Sequence, residues 1–430
     1  MKKYLLTISL IIMDATLFSQ QKVKKGFGFG ALPAISFDSD LGFQYGALVN
    51  LYDYGDGTVY PKYNHSLYLE WSRYTKGTGI NRLMYDSEKI IPKVRTTVDV
   101  TYLTDQMMDF YGFNGYQSQY DANLSLSTRH FYKNQRNMFR IKADFQGNFG
   151  TSGFGWVAGY TFYNFAIDTV NINKLELEPV QGGTLYQRYV KNKLISANES
   201  DGGSINYLKL GLKYDTRDQR ACPMKGIWTE AVIQTAPGFV NEYAHTKFAL
   251  IHRQYFTLAK DISLAYRIDY QATIGNNYVP FYAQPLLITS FLTAASNQGM
   301  GGKNSIRGVL RNRVVGDAVG FGNFEFRYKF IRFELMKQNF YVGTNVFFDS
   351  GIILKPIDIE ANRTGLAALT PAQKTELYLN DYQSGKFHSA VGAGLKIGWN
   401  ENFVISADFG KALNKQDGNT GMYIGLNYLF

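Results

Sequence analysis

The last ten residues of the chain, 421–430, alternate residue by residue between two kinds of side chain. A two-residue period is that of a β-strand, whose successive side chains point to opposite faces of the sheet. One parity of the run is apolar or aromatic and consists of Met422, Ile424, Leu426, Tyr428 and Phe430. The run therefore predicts a final strand whose apolar face, with these five side chains, turns away from water.

The same alternation recurs elsewhere with charged residues on the second face. The run 324–330 places four aromatic side chains on one face and Glu325, Arg327 and Lys329 on the other. Similar runs occur at 94–102, 139–145 and 262–270. A sheet of such strands is either a soluble sandwich with its charged face outward or a membrane barrel with its charged face toward a lumen. Aromatic residues at the strand ends, and tight turns that alternate with long connections, favour the barrel.

The first residues of the chain predict export. Lys2 and Lys3 precede an apolar run at 4–18 that is too short to span a bilayer, and small polar residues follow from Ser19, as in a cleaved signal peptide. No later stretch is apolar for long enough to form a transmembrane helix. Cys222 is the only cysteine, which rules out an internal disulfide. We expect a signal peptide at 1–19 and one outer-membrane barrel domain at 20–430.

Counting the alternating runs predicts an all-β fold, a 16-stranded antiparallel transmembrane β-barrel. The predicted strands are 28–38, 41–52, 63–74, 78–86, 94–103, 136–147, 154–165, 204–215, 225–236, 243–257, 260–274, 318–331, 338–349, 387–399, 401–410 and 421–430. The long connections are 104–135, 166–203, 275–317 and 350–386. With both termini in the periplasm, all four long connections fall on the extracellular side. The run 122–132 is assigned to a loop, because a further strand there would break this alternation of short and long connections.

The net charge of +10 comes from basic residues spread along the whole chain. A nucleic-acid groove would cluster them, so the charge fits a polar lumen and contacts to anionic lipid head groups, and no nucleic acid is expected. The sequence holds no H-E-x-x-H pair and no G-x-S-x-G elbow, and Asn297 and Asn304 break the spacing of a phosphate-binding loop. We therefore expect no catalytic residue, metal or cofactor. His388, on a wet face near a long loop, is the candidate to test for a catalytic site on the barrel rim, although a structural role is far more frequent for such a histidine.

Several motifs carry a family resemblance. The chain resembles the outer-membrane assembly-factor superfamily, the bacterial surface antigen barrels that include BamA, TamA and the two-partner secretion transporters, at Gly301-Gly302-Lys303-Asn304-Ser305-Ile306-Arg307-Gly308 and at Gly322-Asn323-Phe324-Glu325-Phe326-Arg327-Tyr328. Ser-Ile-Arg-Gly is similar to that family's V-R-G-F/Y motif at the tip of the sixth extracellular loop, which folds back into the lumen. Val309 stands where the family has an aromatic residue. The segments Tyr214–Asp218 and Phe347–Gly351 resemble the family's Y-D-x-R turn and F-F-D-x-G strand, and 109–113 resembles its Bacteroidota members.

The resemblance implies a set of residues that we call the loop-six lock, namely Arg307, Gly308, Glu325 and Asp349. In the family, the lumenal arginine contacts acidic residues at the two matching positions. Alternation independently places Glu325 and Asp349 on the wet faces of their strands, so both are expected to point into the lumen. We assign Arg307 to a charge-assisted, bidentate clamp on these carboxylates. The alternative is a set of separately solvated lumenal charges.

The resemblance also gives the end of the chain a role. Tyr423, Gly425, Tyr428 and Phe430 fit the family's C-terminal sorting signal, which the outer-membrane assembly machinery reads. The strand that carries them is expected to pair with 28–38 and close the barrel, and Gly425 lies where such a strand is easiest to loosen. The resemblance thus implies a protein of the bacterial outer membrane, in contact with its lipid and lipopolysaccharide.

Two classes of function follow from these expectations. The first is the family-like activity, in which a weak seam between the first and last strands opens and helps to insert or translocate polypeptide or lipid. Almost no chain separates the predicted cleavage site from the first strand, so we expect a member without polypeptide-transport-associated domains that needs separate periplasmic partners. The second is a non-catalytic scaffold or subunit that binds surface proteins through its long extracellular loops. A porin is a weaker third alternative, because loop six would obstruct the pore.

Overall fold

A computed structural model of the chain describes residues 23–60, 62–219, 222–288, 298–335, 338–363, 365–399 and 403–430, so the predicted signal peptide at 1–19 lies outside the described residues. Seventeen strand segments lie in this described part. They are β1 Phe27–Pro33, β2 Ser36–Asp38, β3 Gly42–Asp53, β4 His65–Tyr74, β5 Thr78–Ile91, β6 Val94–Asp109, β7 Lys133–Asn148, β8 Phe154–Asp168, β9 Gly202–Asp215, β10 Gly226–Ala236, β11 His245–Ala259, β12 Ile262–Ile274, β13 Ala318–Leu335, β14 Gln338–Lys355, β15 Phe387–Trp399, β16 Phe403–Ala412 and β17 Thr420–Leu426. Short helices lie in the connections at Ala122–Ser127, Ile172–Leu175, Leu185–Lys191, Ala197–Ser200 and Pro371–Glu376.

The strands form one closed antiparallel sheet. Each strand from β3 to β16 pairs with the next along the chain, and β17 pairs with β2. β1 and β2 pair with β3 in one continuous register, with Phe27 opposite Asp53 and Asp38 opposite Gly42. They are therefore one strand interrupted at 34–35, and the barrel has sixteen strands, which confirms the predicted fold class.

The residue alternation separates an outer apolar face from an inner polar one. In β13, Phe324, Phe326, Tyr328 and Phe330 are each about two-fifths exposed on the outer surface. The intervening Glu325, Arg327 and Lys329 are at most 5% exposed and point into the lumen. A closed barrel pairs its backbone groups between strands, so this outer face can lie in lipid. The charged side chains inside must then be neutralised by one another.

Several strands are longer than predicted at the end that carries the long connections. β6 continues to Asp109 and β14 to Lys355, whereas alternation had ended them at 103 and 349. At the end of β6, Met108 and Asp109 are both 3% exposed, so neither face meets lipid or water and the polar–apolar alternation disappears. The run 122–132 does not form a strand, because Asp121 caps the helix Ala122–Ser127 by accepting from the backbone N–H groups of Asn123 and Leu124.

The described parts of the long connections 110–132, 169–201, 275–317 and 356–386 lie at one end of the barrel and pack together into what we call the cap. Aromatic side chains from different connections fill its core, such as Phe110 and Tyr189, whose rings meet edge to face with centroids 5.3 Å apart. The cap covers this end of the barrel, which the sequence predicts to be the extracellular one. No helix in the described ranges is both long and apolar enough to cross a membrane.

Candidate functional site

Loop six is the connection 275–317 between β12 and β13, and its tip carries Arg307 into the lumen, where the side chain is 1% exposed. Nε and Nη2 of Arg307 donate to the two carboxylate oxygens of Asp349 at 2.8 and 3.0 Å, and its backbone N–H donates to Asp349 at 3.0 Å. Nη1 lies 2.7 Å from Oε1 of Glu325. The structure thus brings the arginine and both acidic residues together, while their role as a lock stays a prediction.

A third carboxylate completes the site. Asp408 on β16 lies 3.4 Å from Nη1 of Arg307 and also accepts from Lys396 at 2.6 Å. Arg327 donates from Nε to the second oxygen of Glu325 at 2.7 Å. Three cations therefore face three carboxylates, and each member of the cluster is hydrogen-bonded or ion-paired to another, as buried charges require. The guanidinium of Arg307 also lies over the ring of Phe347, with Cζ 3.5 Å from the ring centroid.

The alternation in β16 is a sequence signal that identifies Asp408 as a lumenal residue. In β16, Ile405 and Phe409 are exposed on the outer face and alternate with Ser406 and Asp408 on the inner one. The same parity that selected Glu325 and Asp349 also selects Asp408. What parity cannot supply is which lumenal carboxylate a loop will reach, because that depends on the path of loop six.

Gly308 fits where a side chain could not. Its φ is +97°, and a Cβ built on it would lie 2.6 Å from the backbone carbonyl carbon of Gly410 on β16. Its backbone N–H donates to the hydroxyl of Tyr423 at 3.1 Å. The next residue, Val309, is fully buried with Met300 and Ile306 in a small apolar cluster. Valine therefore packs at this position within the fold, and the tip touches both β16 and β17.

Two further arginines of loop six anchor it to the barrel and the cap. Arg311 donates to Asp109 at 2.7 Å and to Asp105 at 3.0 Å, both at the end of β6. Arg313 donates to the backbone carbonyls of three residues, Gly115, Ser118 and Gln416. These contacts were not predicted, because residues in a loop have no strand parity to show where they point. Together with Arg307 they fix the tip against three separate parts of the wall and cap.

The seam between the two ends of the barrel is short. β17 pairs with β2 through two residue pairs, Tyr423 with Asp38 and Ile424 with Phe37, and hydrogen bonds between Ser39 and Met422 follow at the adjoining turn. By comparison, β15 and β16 share ten residue pairs, from Ala390 with Ala412 to Trp399 with Phe403. Among the described residues no strand pairs with the outer edge of β1. The predicted pairing of 421–430 with 28–38 is therefore wrong except at 37–38.

The chain leaves the sheet after Leu426 and turns into the lumen. Asn427 has φ +66°, which ends the extended conformation. Tyr428 and Phe430 are 7% and 9% exposed, so they do not share the outer apolar face of Met422 and Leu426 that the alternation had predicted for them. Arg327 explains the difference, because its guanidinium lies over both rings and donates to the main-chain oxygen of Phe430 at 3.0 Å. The C-terminal sorting signal, assigned to Tyr423, Gly425, Tyr428 and Phe430, stays a prediction.

His388 lies at the base of the cap rather than on an open rim. It is buried, its Nδ1 is 2.7 Å from Asp417, and its ring stacks on Tyr116 with centroids 4.1 Å apart. Tyr116 donates its hydroxyl to the other oxygen of Asp417 at 2.6 Å, and burial followed by this carboxylate raises the pKa of Tyr116 above its usual range. These contacts join the 110–132 connection to β15 and to the turn 413–419 between β16 and β17. Within the described ranges no group of three or more His, Cys, Asp or Glu side chains could hold a metal ion.

Comparison with known proteins agrees with this geometry. A profile of the Omp85 superfamily domain matches residues 94–430. The chain belongs to this family. Its fold is similar to that of BamA from Haemophilus ducreyi lacking POTRA domains 1–3, with 15% identity, a TM-score of 0.53 and coverage of 94% of this chain and 70% of that one. It is also similar to CdiB from Escherichia coli, with 9% identity, a TM-score of 0.53 and coverage of 93% and 62%. A search of curated proteins by sequence found no match.

The family confirms the resemblance on which the site residues were chosen. An Omp85 barrel is a protein of the bacterial outer membrane, and the family's activity is insertion or transport rather than catalysis. At these low identities the two solved structures show the fold alone. The chain spans only part of each of them, so its own client and partners are matters for proposal.

Proposed function

We propose that this Omp85 barrel helps to insert or translocate polypeptide or lipid in the outer membrane by opening at the seam between β2 and β17, together with separate periplasmic partners. The observation that carries the proposal is the two-pair seam. Each residue pair lost from a strand interface removes backbone hydrogen bonds and cross-strand packing. The seam is therefore the interface of this barrel that is easiest to open.

The outer edge of β1 supports the same proposal. Strand groups that meet lipid without a hydrogen-bond partner each cost several kcal/mol. The seven residues of β1, from Phe27 to Pro33, pair with β3 on one side only among the described residues. Phe27, Phe29 and Leu32 are more than half exposed there, which suits an apolar strand laid beside them. A client strand added to this edge would pair its backbone groups and cover its side chains.

Periplasmic partners enter the proposal because clients must reach the seam from the periplasm. BamA was solved with some of its POTRA domains removed, so that protein carries domains beyond its barrel. We propose that separate proteins deliver clients to this barrel. We propose no enzymatic activity, because the buried charged groups of the lumen around Arg307 are paired with one another rather than exposed to a substrate.

A seam tether tests the proposal. In a Cys222→Ser background, Phe37→Cys with Ile424→Cys places two thiols opposite each other across the seam, and Ile397→Cys with Ile405→Cys does the same across β15 and β16 as a control. Cells depleted of the native protein would carry each variant, and the outer-membrane proteome would be compared with and without reductant. We expect the seam tether alone to deplete other barrels broadly, and reductant to restore them.

The alternative function is a scaffold or subunit that acts through the cap. The observation that favours it is an open groove of about 340 Å³ on the outer surface, between 119–122, Tyr378 and 415–416. Tyr120 and Tyr378 line this groove, and tyrosine is enriched at surfaces that bind other proteins. Loss of only a few surface proteins on depletion, with the tether harmless, would favour this function. Loss of small-solute uptake alone would favour a porin.

A further inference from the structure

The last residues of the chain occupy a built seat in the lumen. Tyr428 packs with Cys222, Tyr341 and Val404, and Phe430 packs with Tyr255 and Ala265. The guanidinium carbon of Arg327 lies 4.4 Å from the ring centroid of Tyr428 and 4.9 Å from that of Phe430. Arg327 is thus the one side chain among those described that contacts both aromatic rings and donates to the terminal residue.

The same residues have a second seat available in the sheet. The register of β17 with β2 sets Tyr423 opposite Asp38 and Ile424 opposite Phe37. Continued in that register, 425–430 would lie opposite 31–36, and 428–430 would lie along 31–33 of β1, whose outer edge has no partner strand among the described residues. Strand parity would then turn Tyr428 and Phe430 outward with Met422 and Leu426. With 425–430 in the sheet the seam would close along its length, whereas with 427–430 in the lumen the seam stays short.

The lumenal seat is connected to the tip of loop six through shared carboxylates. Glu325 accepts from Arg327 on one oxygen and lies against Arg307 with the other. A second connection runs through Asp408, which contacts Arg307 and Lys396, and the ammonium of Lys396 lies 5.4 Å from the ring centroid of Tyr428. A shift of either arginine therefore changes the charge balance around the other.

We propose that Arg327 is a positioning residue that holds 427–430 in the lumen, keeps the seam short, and couples the seam to loop six through Glu325. The proposal rests on the proposed function only in calling the seam a gate. The coupling itself is a property of the barrel without any client. Because coupling between two sites is reciprocal, releasing loop six favours the seat in the sheet, and moving the chain end into the sheet loosens loop six.

The test measures both seats in the purified barrel, folded into phosphatidylcholine vesicles with no client present. In a Cys222→Ser background, Leu32→Cys and Leu429→Cys place thiols opposite each other only when 425–430 lies in the sheet. Arg327→Gln should raise the ratio of cross-linked to free chain about tenfold, which corresponds to about 1.4 kcal/mol. Glu325→Gln should raise it in the same direction. Arg327→Gln should also make trypsin cut loop six faster at Lys303.

Arg82→Gln is the matched control, because Arg82 is also a buried lumenal arginine that bonds a carboxylate, Asp99, at 2.6 Å, but it lies on β5, away from the chain end. Heat-modifiable gel mobility shows that each variant is a folded barrel. Arg327→Lys keeps the charge beside Glu325 and loses the planar contacts with the rings, so its cross-linking should fall between the parent and Arg327→Gln.

Two results would overturn the proposal. One is cross-linking in Arg327→Gln that matches Arg82→Gln. The other is a Glu325→Gln or Arg307→Ala variant in which trypsin cuts loop six faster while cross-linking stays at the parent level, since the two sites would then be independent. Neither result bears on whether clients pass the seam, which the tether in cells decides separately.

Discussion

Replacing Arg307 with alanine removes the central cation of the lumenal cluster, and the structure allows its cost to be worked out. Removing one partner of a buried ion pair costs about 3–5 kcal/mol, because the other partner keeps an uncompensated charge. Glu325 keeps Arg327, and Asp408 keeps Lys396. Asp349 alone loses its ion-pair partner and retains the backbone N–H of residue 307.

The expected loss is therefore at the lower end of that range for charge, about 3 kcal/mol. The guanidinium also stacks closely on Phe347, and a desolvated contact of this kind contributes about 0.5–2 kcal/mol. We expect Arg307→Ala to lower the free energy of unfolding by about 4 kcal/mol. Arg307→Lys keeps a charge and loses the bidentate contact with Asp349, so its free energy of unfolding should lie between those of the parent and Arg307→Ala.

The assay is urea unfolding of the barrel in vesicles, with a double-mutant cycle between Arg307→Ala and Asp349→Asn. The control cycle uses Arg332→Ala and Asp261→Asn, whose arginine side chain is 43% exposed and whose coupling should stay below about 1 kcal/mol. Heat-modifiable gel mobility and trypsin cleavage at Lys303 report the position of loop six. A coupling energy for Arg307 no larger than the control, with loop six equally resistant to trypsin, would refute the reasoning.

Three further outcomes are expected. Gly308→Ala should destabilise the barrel by about 1–3 kcal/mol, because of its positive φ and the close approach of Gly410, whereas Gly385→Ala, also at positive φ but with open space around it, should cost less in the same urea assay. Arg311→Gln should make trypsin cut loop six faster, since Asp105 and Asp109 lose their shared arginine; equal cleavage of the parent and the variant would contradict this. Burial, then Asp38, raises the pKa of Asp40 to about 7, so the folded state holds a proton that the unfolded state releases near pH 4, and this contribution to stability is lost as pH rises through 7. Asp40→Asn should therefore stabilise the barrel more at pH 8 than at pH 5, and an equal effect at both pH values would show that the carboxyl titrates normally.

Strand parity accounts for how much of the fold the sequence reveals. Glu325 and Asp349 could be placed in the lumen because successive side chains of a strand point to opposite faces. Since one face meets lipid and must be apolar, the charged residues lie on the other. The same rule failed at Tyr428 and Phe430. Parity assumes that the strand continues, and Asn427 ends it by adopting a positive φ. The cause lies far away in sequence, in Arg327 on β13.

The lock residues were found by their likeness to a family, and their contacts needed the structure. Arg307 could be matched to two carboxylates by the motif, but nothing local showed that Asp408 would join them. Arg311 and Arg313 lie in a loop with no repeating period, so only the packed cap shows what they bind. The sequence therefore predicts which face of a strand a residue lies on, and the structure shows which residue it contacts.

The cap has a consequence for the order of folding. Its hydrogen bonds join segments that are very far apart in the chain, such as the side chain of Asn114 and the carbonyl of Ile357, which are 243 residues apart. Closing so long a loop carries an entropic cost that is met only after the intervening strands are paired. During assembly the outer mouth therefore stays open until after β14 has joined the sheet, and the arginines of loop six find their partners late. A protease present outside the membrane should therefore cut the connections of the cap faster before the cap forms than afterwards.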